Sequence, residues 1–249
     1  MVSVPTDLVL GAGLYETVRV DEGRIRFGLR HVARLSASAQ VLGLPVPTTE
    51  TFVTTVGSAR GGPVVRVTLH ESPAGTALLA AAGRELGSSR ALSLTALSGW
   101  YAPGYELREH KLTSHFHGVW ARRCAERSGY DDALLVSRDG RVGETSNGNV
   151  AILEGDVLLT PPVDGLLPGI AREALLQAAG TIGISTREQA ITLPQLAVSD
   201  GVFVTSAPRG LVEASELEGS QLRRAEPALV EALRHAIDEI ARNRSVACP

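Results

Sequence analysis

Residues 143–172 read GETSNGNVAILEGDVLLTPPVDGLLPGIAR. The apolar runs 150–153 and 157–159 flank Glu154-Gly155-Asp156, a turn, and form a hairpin. Pro161-Pro162 stops the second strand. A helix is expected from Pro168 to Ala179, with Gly180 closing it. The stretch opens on a short strand over 142–144. That strand sets a carboxylate, Glu144, beside the turn-rich run Thr145-Ser146-Asn147-Gly148-Asn149. The helix starting at Gly169-Ile170-Ala171-Arg172 offers free backbone N–H groups, a ready anion site. A carboxylate and a phosphate-binding helix end, joined by one hairpin, are the features around which the rest of the chain is read.

Working outward, one count stands out. The chain has 24 Lys plus Arg, and 23 of them are Arg. The single lysine is Lys111. Arginine is always protonated and is no nucleophile, whereas a desolvated lysine can form a Schiff base with an aldehyde. A chance leftover on a solvated face is the plain alternative for Lys111. A lysine, a carboxylate and a phosphate site together are what pyridoxal 5'-phosphate (PLP) chemistry requires. The lysine holds the aldehyde, the carboxylate pairs with the protonated ring nitrogen, and the helix end takes the phosphate.

Composition bounds the class. A chain of 249 residues forms one large domain or two compact ones. With 44% hydrophobic residues and a net charge of −3, disorder and a basic nucleic-acid footprint are both excluded. No apolar run approaches the ~20 residues of a membrane span. The start, Met1-Val2-Ser3-Val4-Pro5-Thr6-Asp7, lacks a basic region and a long apolar stretch, so no leader is expected. Cys124 and Cys248 form neither a disulfide framework nor a metal pattern, and a reducing cytoplasm is the expected compartment.

The remaining elements alternate. A strand is expected over 14–20 and a turn over 21–24, with a second strand beginning at Ile25-Arg26-Phe27. A helix over 31–42 carries Val32, Leu35, Ala39 and Leu42 on one face. Strands follow over 63–69, 77–82 and 92–97. Gly99-Trp100-Tyr101-Ala102-Pro103-Gly104 is a break and marks a boundary between 1–104, the smaller N-terminal part, and 105–249. Lys111 then opens a helix over about 114–128. Strands are expected over 133–137 and 201–205, and a closing helix over 226–243. Antiparallel hairpins with packed helices make the fold class α+β.

The sequence resembles the class IV aminotransferase family, PLP enzymes of fold type IV. The family includes branched-chain and D-amino-acid aminotransferases and 4-amino-4-deoxychorismate lyases. The resemblance rests on Gly13-Leu14-Tyr15-Glu16-Thr17-Val18-Arg19, His31-Val32-Ala33-Arg34-Leu35, Lys111, Gly143 through Val150, Thr160-Pro161-Pro162, Gly165 through Arg172, and Val202-Phe203-Val204-Thr205-Ser206. It implies two α/β domains with the cofactor between them, 105–249 being the PLP-binding one, and a homodimer acting on a small amino substrate without nucleic acid or membrane. It implies that Lys111 is the Schiff-base lysine, forming the internal aldimine and serving as acid and base. Glu144 would pair with the ring nitrogen, Asn149 would lie near the ring, Leu167 on its face, and Arg34 on the phosphate. Ile170 and Ala171 would form one phosphate cup and Ser206-Ala207 the second. Tyr15, Thr17 and Arg209 would line the substrate side.

Departures from the pattern matter too. Many members carry threonine where Ala171 and Ala207 stand, so two phosphate hydroxyls are absent. Neutral hydrogen bonds are worth about 0.5–1.5 kcal/mol each, which predicts weakened rather than abolished PLP binding. Thr17 is similar to the lyase branch. Pro208 has no N–H to offer a substrate carboxylate where branched-chain enzymes use one. The expected reaction is therefore elimination of pyruvate from aminodeoxychorismate to give 4-aminobenzoate, as in folate biosynthesis. The alternatives are transamination to a 2-oxo acid, or a non-catalytic relative. His70-Glu71-Ser72-Pro73-Ala74-Gly75 replaces the lyases' usual Gly- and Arg-rich stretch. The charge for a dianionic substrate would come from Arg66, Arg108 or Arg209. A metal site at His115 and His117 is disfavoured, because i and i+2 do not share a helix face.

Overall fold

The computed structural model describes residues 10–72, 74–87 and 90–248. The N-terminal stretch read for a leader, and Pro73, lie outside them. The chain forms two compact units. One holds Met1–Gly87, His110–His115 and Ala241–Pro249; the other holds Ser88–Glu109 and Phe116–Ile240.

The first unit is a five-stranded sheet in the order β15-β2-β1-β3-β4, antiparallel throughout. Its strands are β1 (Leu14–Asp21), β2 (Arg24–Ile25), β3 (Val64–Glu71), β4 (Ala77–Arg84) and β15 (Val246–Ala247). Helices α1 (Gly28–Val41) and α2 (Thr49–Ser58) supply Val32, Leu35, Ala39, Phe52 and Val56 to a core shared with Leu14, Val18, Val65, Val67 and Leu69. Thr48 caps α2 by accepting a hydrogen bond from the Thr51 N–H at 3.0 Å. The expected strand at Ile25-Arg26-Phe27 is shorter, because Phe27 takes a left-handed conformation (φ 53°) and starts α1 three residues earlier than its apolar spacing shows.

The second unit is built on a ten-stranded sheet. Its strands are β5 (Leu92–Tyr101), β6 (Asp132–Ser137), β7 (Arg141–Thr145), β8 (Asn149–Glu154), β9 (Val157–Thr160), β10 (Ser185–Glu188), β11 (Ile191–Thr192), β12 (Gly201–Ser206), β13 (Gly210–Leu217) and β14 (Ser220–Gln221). Because β7 also pairs with β8, the strands β8, β12, β13, β5, β6 and β7 close on themselves. Alternate residues of these strands, including Leu94, Leu134, Val136, Val150, Ile152, Val202, Val204 and Val212, fill the shared interior. Among the described residues the helices that follow are α3 (Phe116–Arg127), α4 (Ile170–Thr181), α5 (Leu193–Val198) and α6 (Pro227–Asn243). Ala121 and Ala125 of α3 pack on Ala133 and Leu135 of β6.

Two further expectations change. The boundary expected at 104/105 gives way to one at 87/88, because β5 pairs with β6 and β13 and so belongs to the larger sheet. Lys111 does not open a helix. It lies in an extended segment five residues before α3, and that segment is fastened to β1. The Tyr15 N–H donates to the Lys111 carbonyl at 2.8 Å, Thr113 N–H donates to the Gly13 carbonyl at 2.8 Å, and Leu112 bridges to Leu14. The Thr113 hydroxyl adds a bond to the Gly11 carbonyl at 2.7 Å. Strand pairing at the start of β1 outcompetes helix here. Among the described residues no helix is long and apolar enough to cross a membrane, and no cluster of His, Cys, Asp or Glu is placed to hold a metal.

Candidate active site

In the first unit the fastening of 111–113 to β1 holds Lys111 Nζ 4.6 Å from the centre of the Tyr15 ring. The guanidinium of Arg66 lies 3.7 Å from the same ring, and the His115 ring 5.9 Å away. Both cations are attracted to the ring's electron-rich face. Thr17 is the cross-strand partner of Arg66 and shares the Tyr15 face of β1, since strand side chains alternate. Lys111, Tyr15, Thr17, Arg66 and His115 are thus one cluster.

Glu16 points to the other face, where it is 1% exposed. Arg34 donates to both its oxygens at 2.7 Å, from Nε and Nη2, and His31 Nδ1 lies 2.8 Å from Oε2. Burial opposes ionisation of Glu16, but the charges of Arg34 and His31 prevail and hold its carboxyl far below the usual range. Burial pushes the His31 ring below its ordinary value, against the pull of Glu16. Arg34 therefore spends two of its five N–H donors on Glu16. This triad was missed in the sequence. Its signal is faint but present: His31 and Arg34 sit three apart on one helix face, and Glu16 interrupts the apolar side of a strand.

In the second unit β7 and β8 pair Glu144 with Asn149, and β8 and β12 pair Asn149 with Thr205. The three side chains share one face of the sheet, the face on which α4 begins. Asn149 Nδ2 donates to the Leu167 carbonyl at 3.0 Å. A Cβ on Gly169 would stand 1.8 Å from Asn149 Oδ1, and one on Gly148 2.7 Å from the Thr205 carbonyl, so neither position admits a side chain without displacement. Gly169 is the N-cap of α4, and no side chain caps that end. Arg172, in the first turn, is buried and ties α4 to the Thr160 hydroxyl and Pro161 carbonyl, at 3.3 and 2.9 Å, and to Glu188 at 2.8 Å. Ile170 and Ala171 are buried in that first turn; Ser206 ends β12 and Ala207, Pro208 and Arg209 follow in a turn, all four half-buried. The Thr205 hydroxyl is buried and has no hydrogen-bond partner.

The Glu144 carboxylate carries a cation of its own. Arg108 Nη2 donates to Glu144 Oε1 at 2.8 Å. Arg108 sits in a one-turn 3-10 helix (Glu106–Glu109), and sequence reading offered it only as a possible substrate cation.

The residues present fit PLP. The first unit holds an amine, and the second holds an enclosed carboxylate, a helix end at Gly169 with no side-chain cap, and a buried hydroxyl without a partner, which are donor and acceptor types the cofactor needs.

Comparison with known proteins adds the family. The profile described as "Amino-transferase class IV" matches residues 13–217. A probable branched-chain-amino-acid aminotransferase of Synechocystis is 27% identical over 152 residues, 59% of this chain and 50% of that one. The chain thus aligns with about half of that relative's length. A probable branched-chain-amino-acid aminotransferase of Rickettsia bellii is 26% identical over 77% of this chain and 73% of its own length. Among solved structures, a hypothetical aminotransferase from Mycobacterium tuberculosis in a PLP-bound form matches 98% of this chain and 94% of its own, with a TM-score of 0.85 and 23% identity. A putative 4-amino-4-deoxychorismate lyase from Legionella pneumophila matches 96% of each chain, with a TM-score of 0.85 and 24% identity. These two likenesses establish the fold, an α+β arrangement of fold type IV. The profile match over most of the sequence makes the chain a member of the class IV aminotransferase family of PLP-dependent enzymes.

Proposed function

We propose that this chain is a PLP-dependent enzyme in which Lys111 holds the cofactor aldehyde and carries the substrate proton. We favour elimination of pyruvate from 4-amino-4-deoxychorismate, giving 4-aminobenzoate. The observation that carries the first part is that the only lysine in the sequence is pinned by backbone pairing beside Tyr15 and Arg66. When bound, PLP withdraws electrons from the carbon next to the substrate nitrogen and so acidifies its proton.

The chain's own residues do the rest. The fixed Lys111 backbone limits where Nζ can reach, so the proton leaves and returns along a defined path. Glu144 supplies the anion for the cofactor's ring nitrogen, with Asn149 and Leu167 beside the ring. The α4 N-terminus at Ile170 and Ala171, the Ser206-Ala207 turn and Arg34 hold the phosphate. Tyr15 and Thr17 line the substrate side. Of the three arginines considered for the substrate's negative charge, Arg66 is favoured. It lies over the Tyr15 ring on the Lys111 side of β1, whereas Arg108 is engaged by Glu144. Arg209 remains in the turn after β12.

Pro208 supports the lyase. It removes one backbone donor from that turn, where a carboxylate would otherwise be held. Transamination is the second reading, supported by the names of the relatives in the Synechocystis and Rickettsia proteins. We further propose a homodimer, working in a reducing compartment where the half-buried Cys124 and Cys248 stay as free thiols. The test is product analysis. Purified protein with PLP and aminodeoxychorismate yields 4-aminobenzoate and pyruvate in equal amounts. Release of a 2-oxo acid from amino acids, with no 4-aminobenzoate, selects the transaminase instead.

A further inference from the structure

The Arg108–Glu144 pair is enclosed: the two side chains are 10% and 14% exposed. Arg108 Nη1 also reaches the Trp100 carbonyl at 3.4 Å, at the end of β5. Two other titratable groups face the pair. Tyr101, packed on Gly143, has its hydroxyl pushed up by burial and by Asp164. His117, from α3, is pushed down by burial and by the Arg108 charge. An ion pair withdrawn this far from water is costly to break, because either partner alone leaves a buried charge uncompensated. Its guanidinium also presents a planar fork, which fixes a carboxylate's orientation as well as its charge.

We propose that Arg108 is a positioning residue for Glu144. It offsets the carboxylate's charge and sets its orientation toward the ring nitrogen of the cofactor. The assignment rests on the reading above that Glu144 serves that nitrogen. It takes Arg108 out of the substrate-binding set. Its chemical consequence is a carboxylate held in one orientation with its charge partly offset, so the ring nitrogen holds its proton less tightly than beside a bare Glu144.

The test uses the full-length protein loaded with PLP labelled with 15N in the ring. The variants are Arg108→Met, Arg108→Lys, Glu144→Gln and the double Arg108→Met/Glu144→Gln. The ring-nitrogen chemical shift is followed against pH, and the PLP dissociation constant is measured by fluorescence. Arg108→Met is expected to raise the pH at which the ring nitrogen loses its proton by about one unit, because the carboxylate's charge is no longer offset, and to weaken PLP binding about tenfold, because the carboxylate is no longer held in place. Arg108→Lys, which keeps the charge and loses the fork, should fall between. In the Glu144→Gln background the Arg108 substitution should add less than twofold, since its target is gone. An unchanged ring-nitrogen titration in Arg108→Met and Arg108→Lys overturns the proposal. So does an effect confined to the substrate KM, which would return Arg108 to substrate binding. If wild-type protein takes up no PLP through Lys111, the functional reading beneath the proposal is what has failed.

Discussion

Gly169→Ala probes the phosphate cradle with a single methyl group. The new Cβ would stand 1.8 Å from Asn149 Oδ1 and 2.9 Å from its Cγ. The Gly169 backbone itself (φ −73°, ψ 126°) suits alanine, so the cost is contact and not strain. Asn149 must swing away and give up its 3.0 Å bond to the Leu167 carbonyl. Losing that bond and stranding a sheltered acceptor costs about 2–3 kcal/mol. For units of this size that is a fall in melting temperature of about 5–10 °C. Asn149→Ala alone loses the bond without the clash and costs about 1–2 kcal/mol. In the double variant the amide is gone, and the nearest remaining neighbour of the methyl group is the Arg172 Cβ at 3.3 Å. The double should therefore resemble Asn149→Ala, with a coupling energy of about 2 kcal/mol between the sites. Thermal unfolding of the four proteins supplies the cycle, and PLP titration should show weakened binding in both single variants. Additive losses would refute the contact argument, as would a Gly169→Ala change below about 0.5 kcal/mol.

Other predictions follow from the buried ion pairs. Glu16→Gln strands the Arg34 charge in a sheltered site and should destabilise the protein by about 3–5 kcal/mol in urea unfolding at neutral pH. The acid side has a definite sign. His31 and Glu16 both bind protons less readily folded than unfolded, so stability is full above their unfolded values. It should fall as pH drops below about 6.5 for His31 and below about 4.5 for Glu16. In Glu16→Gln the lower of these two slopes should flatten in denaturation curves run from pH 7 to pH 3. Arg172→Met unties α4 from Thr160, Pro161 and Glu188, and should cost about 2–3 kcal/mol and raise the PLP dissociation constant.

Much of the fold was legible where the period was clean. The 150–159 hairpin, β1, β12 and α6 carry regular apolar spacing and clear turn residues. Elements stabilised by pairing alone left no pattern. β10 is exposed at all four residues and exists because it pairs in parallel with β9. Helix α2, TETFVTTVGS, is rich in β-branched residues and buries only Phe52 and Val56, so propensity argued against it. β13 hid behind Glu213, a carboxylate buried in a strand and paired with Arg224. The site divides the same way. Lys111, Glu144 and the α4 N-terminus were marked as candidates by residue type beside turn and helix signals, and Asn149 by resemblance alone. The partners of those groups were not. Arg108 meets Glu144 from 36 residues away and Glu16 meets Arg34 across an element boundary, contacts that only tertiary packing creates.

Lys111 is the residue through which we propose that this chain takes up PLP. Because the sequence holds a single lysine, one measurement can isolate it. Protein incubated with PLP is reduced with borohydride, digested, and mapped by mass spectrometry, with Lys111→Ala alongside. One phosphopyridoxyl group per chain is expected, on the peptide containing Lys111, and none on that peptide in the variant. A label found only on the N-terminal amine, or no stable label at saturating PLP, would contradict it.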